Sequence, residues 1–429
     1  MSAAYKDRTT EELKQEYASV KTEFEALKEK NLKLNMARGK PGKAQLDMVS
    51  DILTVLTTPE DCIVDGVDAR NYGELTGLRC AKEFWAELLG CRPEECFIGG
   101  NASLTLMYDT ISKAYTHGLL HSEKPWCKLD TVKWLCPAPG YDRHFKVTES
   151  FGFELITVPM TPTGPDMDMV EELVKDPAVK GIWCVPKYSN PSGITYSDET
   201  VRRLAAMECA ADDFRIFWDN AYAVHHFSGD PAEQDIVLDI AEACREAGNP
   251  DRYLKFGSTS KITFPGAGVA ALAASPANIA EIKRHLGVQA IGHDKLNQLR
   301  HARFLEEGAR LPEHMAAHGA LMGPKFELVE KKLAEELAEA GIATWTNPRG
   351  GYFVSFEGPA GTARRIVELA KNAGVTMTGA GATWPYGDDP ADSNIRIAPS
   401  LPPLEELDAA MDVFTCCVKL AALEQLVEE

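Results

Sequence analysis

The chain has 429 residues, 45% of them hydrophobic and 25% charged, the make-up of a soluble globular protein with room for two or three domains. Its 64 Asp and Glu against 45 Lys and Arg give a formal net charge of -19, a field that repels nucleic-acid phosphates and anionic lipid. The 11 cysteines include no Cys-x-x-Cys pair, the start MSAAYKDRTTEELKQ has no apolar signal core, and no run is long enough to span a bilayer; a cytoplasmic protein with reduced thiols is expected.

Thr9-x-x-Glu12 reads as a capping box, and Leu13, Tyr17, Val20, Phe24 and Leu27 then recur at helical spacing, giving one apolar face. The helix ends near Leu34, where NMARGKPGKAQLD begins a loop punctuated by Gly and Pro. From about residue 70 to 300, short apolar runs alternate with amphipathic stretches such as Asp198–Ala211 and Val237–Ala247. The runs are Cys96–Ile98, Trp134–Cys136, Glu154–Val158, Gly181–Val185, Arg215–Trp218, Tyr253–Phe256 and Val269–Ala273. This alternation predicts an α/β domain on a mostly parallel sheet. After about residue 305 a helix over Lys325–Ala340, strand-like GGYFVSFEG and NIRIAPS, a helix at Ala363–Ala373 and a last helix over Leu404–Leu426 predict a smaller α+β domain. The expected division is an amino-terminal helix and arm at 1–50 packing with the small domain, a large domain at 51–305 and the small domain at 306–429.

Chemistry concentrates where open α/β sheets place ligands, at the carboxyl ends of the predicted strands. Four segments stand there: NPSG at 190–193, DNAY at 219–222, STSK at 258–261 and NIRIAPS at 394–400. Each alone is weak, and a solvated loop lysine, a helix-capping aspartate or an Asn-Pro turn would explain them singly. Their order and strand-end context carry the signal.

Together they resemble the aspartate-aminotransferase superfamily of fold-type I pyridoxal-phosphate (PLP) enzymes, class I/II, over nearly the whole chain. The resemblance implies the fold of that class: a large domain with a mostly parallel seven-stranded sheet and a smaller α+β domain. It implies PLP as cofactor, with Lys261 as the lysine that carries it and later shuttles the substrate α-proton; a partly buried lysine near a cationic cofactor loses its own proton readily. Asp219 would pair with the protonated ring nitrogen, and Tyr222 and Asn190 with the phenolic oxygen. Ala102 and Ser103, at the start of a helix, would form the phosphate cup together with Ser258 and Ser260. Tyr141 would stack on the cofactor face. Arg396, with Gly39 beside it, would grip the substrate α-carboxylate. Tyr72 would reach the phosphate of a neighbouring subunit, which implies a homodimer with shared sites.

The chain departs from the pattern at Gly268, where many relatives carry an arginine on the phosphate. Another basic side chain, or backbone donors and hydroxyls, must serve instead. The variants ARGKPGKAQLD, PAPGYDRHF, PKYSNPSG and SKITFPGAGVA resemble a divergent bacterial subgroup, MocR-like or alanine–glyoxylate-type, that includes aspartate aminotransferases. The expected activity is ping-pong transfer of an amino group from L-aspartate to 2-oxoglutarate. Candidate cations for a distal carboxylate are Arg38, Lys40, Arg143, His144, Lys187, His293, Lys295 and Arg300. An alanine or aromatic donor would call for an apolar pocket instead. Other readings are a PLP lyase on the same fold, a regulator of the MocR kind, for which the lead of ~35 residues leaves no DNA-binding module, and a nicotinamide enzyme built on Gly266-x-Gly268-x-x-Ala271. That glycine run precedes an apolar strand rather than opening a helix, against the dinucleotide pattern. The pair His225-His226 lacks further ligands at helical spacing and reads as packing, not a metal site.

Overall fold

The computed structural model describes residues 4–428; residues 1–3, part of the stretch read above for a signal core, and residue 429 lie outside it. The amino-terminal helix, Thr10–Glu29, opens on the predicted capping box. The Glu12 backbone N–H donates to Thr9 Oγ1 at 3.3 Å and the Thr9 backbone N–H to Glu12 Oε2 at 2.8 Å. Leu13, Val20, Phe24 and Leu27 are buried in a core shared with the carboxy-terminal helix, Leu404–Glu428. Leu34–Asn35 then pairs in parallel with Val375–Thr376, so the chain's start is tied to its last third.

The seven expected strands form one sheet, extended by a short eighth, Gly164–Pro165, whose sequence reads as a turn. In spatial order they run Cys96–Ile98, Ala270–Ala274, Tyr253–Ser258, Arg215–Asp219, Val179–Cys184, Lys133–Ala138, Glu154–Thr161 and Gly164–Pro165. The five from Tyr253–Ser258 to Glu154–Thr161 are parallel, Ala270–Ala274 is antiparallel to both neighbours, and the short edge strand is antiparallel to its own. Central parallel strands are covered on both faces, which is why they read as unbroken apolar runs: Val179–Cys184 is buried at every position.

Three helices differ from expectation. The first ends at Glu29, not near Leu34, because Leu34–Asn35 is drawn into pairing with Val375–Thr376. The helix expected from Lys325 begins at Leu311 and passes through Pro324. The proline removes one backbone bond, but Met322 and Phe326 on either side are buried in the core and their packing holds the turn. The helix from Asp198 stops at Ala206 instead of Ala211, where Arg252 Nη1 donates to the carbonyls of Ala205 (3.1 Å) and Met207 (2.5 Å) and so satisfies the helix end. The last third adds a three-stranded antiparallel sheet of Thr344–Trp345, Val354–Glu357 and Asn394–Ile397, backed by the helix Ala363–Asn372. Among the described residues no helix is long and apolar enough to cross a membrane.

Candidate active site

A cavity of about 370 Å³ lies where the parallel strands end and the small sheet meets the large one. Gly39, Ala102, Ser103, Tyr141, Asn190 and Asp219 line it, as do Tyr222, Ser258, Ser260, Lys261 and Arg396. Strand ends explain the convergence: Asp219 is the last residue of Arg215–Asp219, and Lys261 closes the turn Thr259–Lys261 that follows Tyr253–Ser258. Tyr141 follows Lys133–Ala138 and starts the helix Asp142–Ser150. Tyr72 is not part of the cavity and is 83% exposed.

The Lys261 amine sits over two aromatic rings, 4.8 Å from the centre of Tyr222 and 5.8 Å from that of Tyr352. Burial pulls its pKa below the ordinary lysine value; the Asp219 charge opposes that shift and the Arg396 charge adds to it. Tyr222 is driven well above the ordinary tyrosine value by burial, with Tyr141 and Asp219 adding to the effect, so its hydroxyl stays protonated and able to donate. Burial pushes Tyr141 up to about 12 in the same direction.

Asp219 accepts a hydrogen bond at Oδ2 from His144 Nε2 (3.0 Å), with both side chains almost wholly buried. The His144 ring lies flat on Trp183, 4.5 Å between centres and 15° between planes. This corrects one expectation: His144 is committed to Asp219 and is no candidate for a substrate's distal carboxylate. Asp219 Oδ1, the other oxygen, is buried without a partner. A buried carboxylate oxygen lacking a donor is costly, and the group that ought to meet it is a cationic N–H.

Arg396 lies in the short strand Asn394–Ile397, buried, its guanidinium 4.8 Å above the Phe353 ring. Its Nη1 donates to Asp142 Oδ1 at 2.9 Å and to Asn190 Oδ1 at 3.2 Å, while Nε is buried without a partner. The same Phe353 ring presses on the loop at Gly39, where a Cβ would stand 2.5 Å from ring Cζ; only glycine allows so close an approach.

The helix Ser103–His117 starts at the cavity with no side-chain cap, leaving its first backbone N–H groups open to an anion. Ser258 Oγ donates to Ser260 Oγ at 3.0 Å beside it. At Gly268 a side chain would force the backbone to shift: a Cβ would meet the carbonyl oxygens of Asn101 at 2.9 Å and Phe264 at 3.2 Å, and Thr259 Oγ1 at 3.2 Å. The arginine that the resemblance leads one to expect here would have to displace the Asn101 backbone.

Of the remaining candidate cations, Lys187 donates to the Ala223 carbonyl (2.9 Å), Lys295 to that of Gly73 (3.1 Å) and Arg300 to Asn297 Oδ1 (2.6 Å). None of these, nor His293, lines the cavity. Arg38, Lys40 and Arg143 do; their side chains make no hydrogen bond or ion pair among the described residues. Sequence reasoning missed Asp142, Tyr352 and Phe353. The two rings sit in GGYFVSFEG, whose apolar run reads as plain core, and Asp142 carries no signal beyond its place next to Tyr141.

The doubly wound sheet, the strand-end lysine and aspartate, and the arginine of the small antiparallel sheet define a fold-type I aminotransferase, the class whose cofactor is PLP, and the donor set fits that group: an orphan carboxylate oxygen for a cationic ring nitrogen, protonated tyrosines, and an open helix start with hydroxyls for a phosphate. Comparison with known proteins agrees. The family described as aspartate amino-transferase matches residues 8–429. The aspartate aminotransferase of Corynebacterium glutamicum is 48% identical over 423 residues, 99% of this chain and 97% of that protein. The crystal structure of an aspartate transaminase from that organism superimposes with a TM-score of 0.96 at 48% identity, covering 99% of this chain and all of the other. A solved structure from Corynebacterium diphtheriae gives 0.92 at 51% identity, with 95% and 100% covered. In fold alone, the α-aminoadipate aminotransferase of Thermus thermophilus, solved with N-(5'-phosphopyridoxyl)-L-leucine, gives 0.72 at 23% identity over 92% and 93%. The chain belongs to the aspartate amino-transferase family.

Proposed function

We propose that this aminotransferase moves the amino group of L-aspartate to 2-oxoglutarate by a ping-pong mechanism, with pyridoxal 5'-phosphate held at Lys261. The observation that carries the substrate class is the conjunction of the buried Arg396 with three cations that have no partner among the described residues, Arg38, Lys40 and Arg143, on one cavity of a chain whose net charge is -19. A dicarboxylate needs two cationic ends, and an apolar amino acid would leave the exposed three without purpose.

When bound, the cofactor supplies the electron sink that lets the substrate Cα–H bond ionise. Lys261 Nζ, eased toward its neutral form by burial, is the base that takes that proton. Asp219 Oδ1 would accept from the ring nitrogen, with His144 fixing the carboxylate through Oδ2. The Tyr222 hydroxyl and the Asn190 amide would donate to the phenolic oxygen; Asn190 Oδ1 is already engaged by Arg396, which leaves its NH₂ free for this. Tyr141 would cover the ring. Backbone N–H groups at Ala102 and Ser103, with the hydroxyls of Ser103, Ser258 and Ser260, would hold the phosphate. Arg396 and the Gly39 backbone would seat the α-carboxylate.

The reading extends to a cytoplasmic homodimer with shared sites, in which Tyr72 reaches the partner's phosphate. Exposed apolar side chains support it: Val288 is 91% and Ile291 63% exposed, on a segment that packs by Gly292 against the Gly73 carbonyl next to Tyr72. Residues 51–305 are assigned as the large domain and 306–429 as the small one, with 1–50 as helix and arm joined to the latter; the shared core of the first and last helices supports this division.

The test is a visible absorption spectrum of protein incubated with the cofactor, taken before and after L-aspartate. A lysine-bound cofactor band that gives way to the aminated form establishes the reaction and the donor. A band indifferent to aspartate refutes the donor, and no band at all refutes the cofactor. A Lys261→Ala enzyme that still turned over would refute the role of Lys261.

A further inference from the structure

We propose that Asp142 is a resident carboxylate of the α-carboxylate seat, a binding-site residue that weakens the grip of Arg396 on every carboxylate passing through it. This rests on the reading of Arg396 as the substrate's carboxylate seat. A guanidinium as buried as Arg396 requires a counter-charge, and Asp142 supplies it at 2.9 Å. Asp142 is the first residue of the helix Asp142–Ser150, where a carboxylate is favoured by the helix terminus, so its place is set by the fold. Both side chains line the cavity.

The hydrogen bonds show how substrate and Asp142 share one arginine. Nη1 serves both Asp142 and Asn190, and Nε has no partner although buried. Nε is covered but unpaired, and Nη2 makes no hydrogen bond among the described residues, so a carboxylate that takes up this edge leaves Nη1 with Asp142. A substrate binds there beside Asp142 without displacing it, and meets an arginine whose charge is already compensated. A ping-pong cycle passes two substrates and two products through this seat. Uniformly tight binding of all four would lower KM without speeding turnover and would retard product departure. A fixed second carboxylate corrects that.

The test is calorimetric titration of the cofactor-loaded enzyme with succinate, an unreactive dicarboxylate, alongside steady-state kinetics. D142N keeps an oxygen acceptor for Nη1 but removes the charge. Succinate is expected to bind it roughly tenfold tighter than wild type, the scale of one unit charge removed at short range in a partly solvated site. KM for aspartate should fall with it, with no gain in kcat. A purely structural role for Asp142 predicts the reverse, because loosening Arg396 weakens binding. Unchanged or weaker succinate binding by D142N overturns the proposal; D142S carries the same test should D142N fold poorly. R396Q separates the two levels of the argument: if it binds succinate as wild type does, the seat itself is wrong, whereas loss of binding by R396Q with no gain by D142N overturns only the role of Asp142.

Discussion

Gly268 stands where the resemblance leads one to expect a phosphate-binding arginine, and a side chain there would force the backbone to shift. The simplest perturbation is Gly268→Ala. Its methyl would sit 2.9 Å from the Asn101 carbonyl, 3.2 Å from that of Phe264 and 3.2 Å from Thr259 Oγ1. Two of the three are backbone atoms, so the strain cannot be released by turning a side chain. Overpacking of this kind costs about 1–3 kcal/mol. It also presses on Asn101, next to the open helix start at Ala102, so cofactor affinity should fall as well. Gly268→Arg should fare no better: the added charge comes with the same misplaced Cβ. The assays are denaturant midpoints of the cofactor-free proteins and spectral titration of each with PLP. A Gly268→Arg protein that is as stable as wild type and binds PLP more tightly would refute the argument from chain path.

His144→Phe keeps a flat ring for Trp183 but removes the 3.0 Å bond to Asp219. The cost of an unsatisfied buried acceptor is about 1–3 kcal/mol, read as a loss of roughly ten- to a hundredfold in kcat with KM little changed; an unaltered kcat counts against the positioning role. Phe24→Ala empties a buried site between the first helix and the core it shares with the last, with an expected loss of about 3–5 kcal/mol by denaturation. Burial lowers the pKa of Lys261 in the folded protein. Between that lowered value and the ordinary lysine value the unfolded chain holds more protons, so the stability of the cofactor-free protein should rise with pH across this window. A Lys261→Met protein should lack the rise; parallel stability-versus-pH curves would remove the burial argument.

The sheet was legible because parallel strands covered on both faces are written as short, unbroken apolar runs, and all seven expected strands are present. Helix limits were less so. Pro324 reads as a break, yet the burial of Met322 and Phe326 carries the helix through it, and Arg252 ends another helix from 45 to 47 residues away in sequence. At the site, the segments of Lys261, Asp219 and Asn190 stood out at strand ends, whereas His144 was only one of eight unranked candidate cations, because a pairing with Asp219 across 75 residues leaves no local mark.

Sequence alone determined the chemical inventory: an acidic chain, an alternating α/β order, a lysine and an aspartate at the ends of parallel strands, where side chains gather, and an arginine in the NIRIAPS strand. Only the tertiary structure decided which charges are committed. It gave His144 to Asp219 and Asp142 to Arg396, left Arg38, Lys40 and Arg143 without a partner among the described residues, and crowded Gly268 with backbone. The physical reason is that charge and space belong to pairs of distant segments, and a pair exists only once the chain has folded.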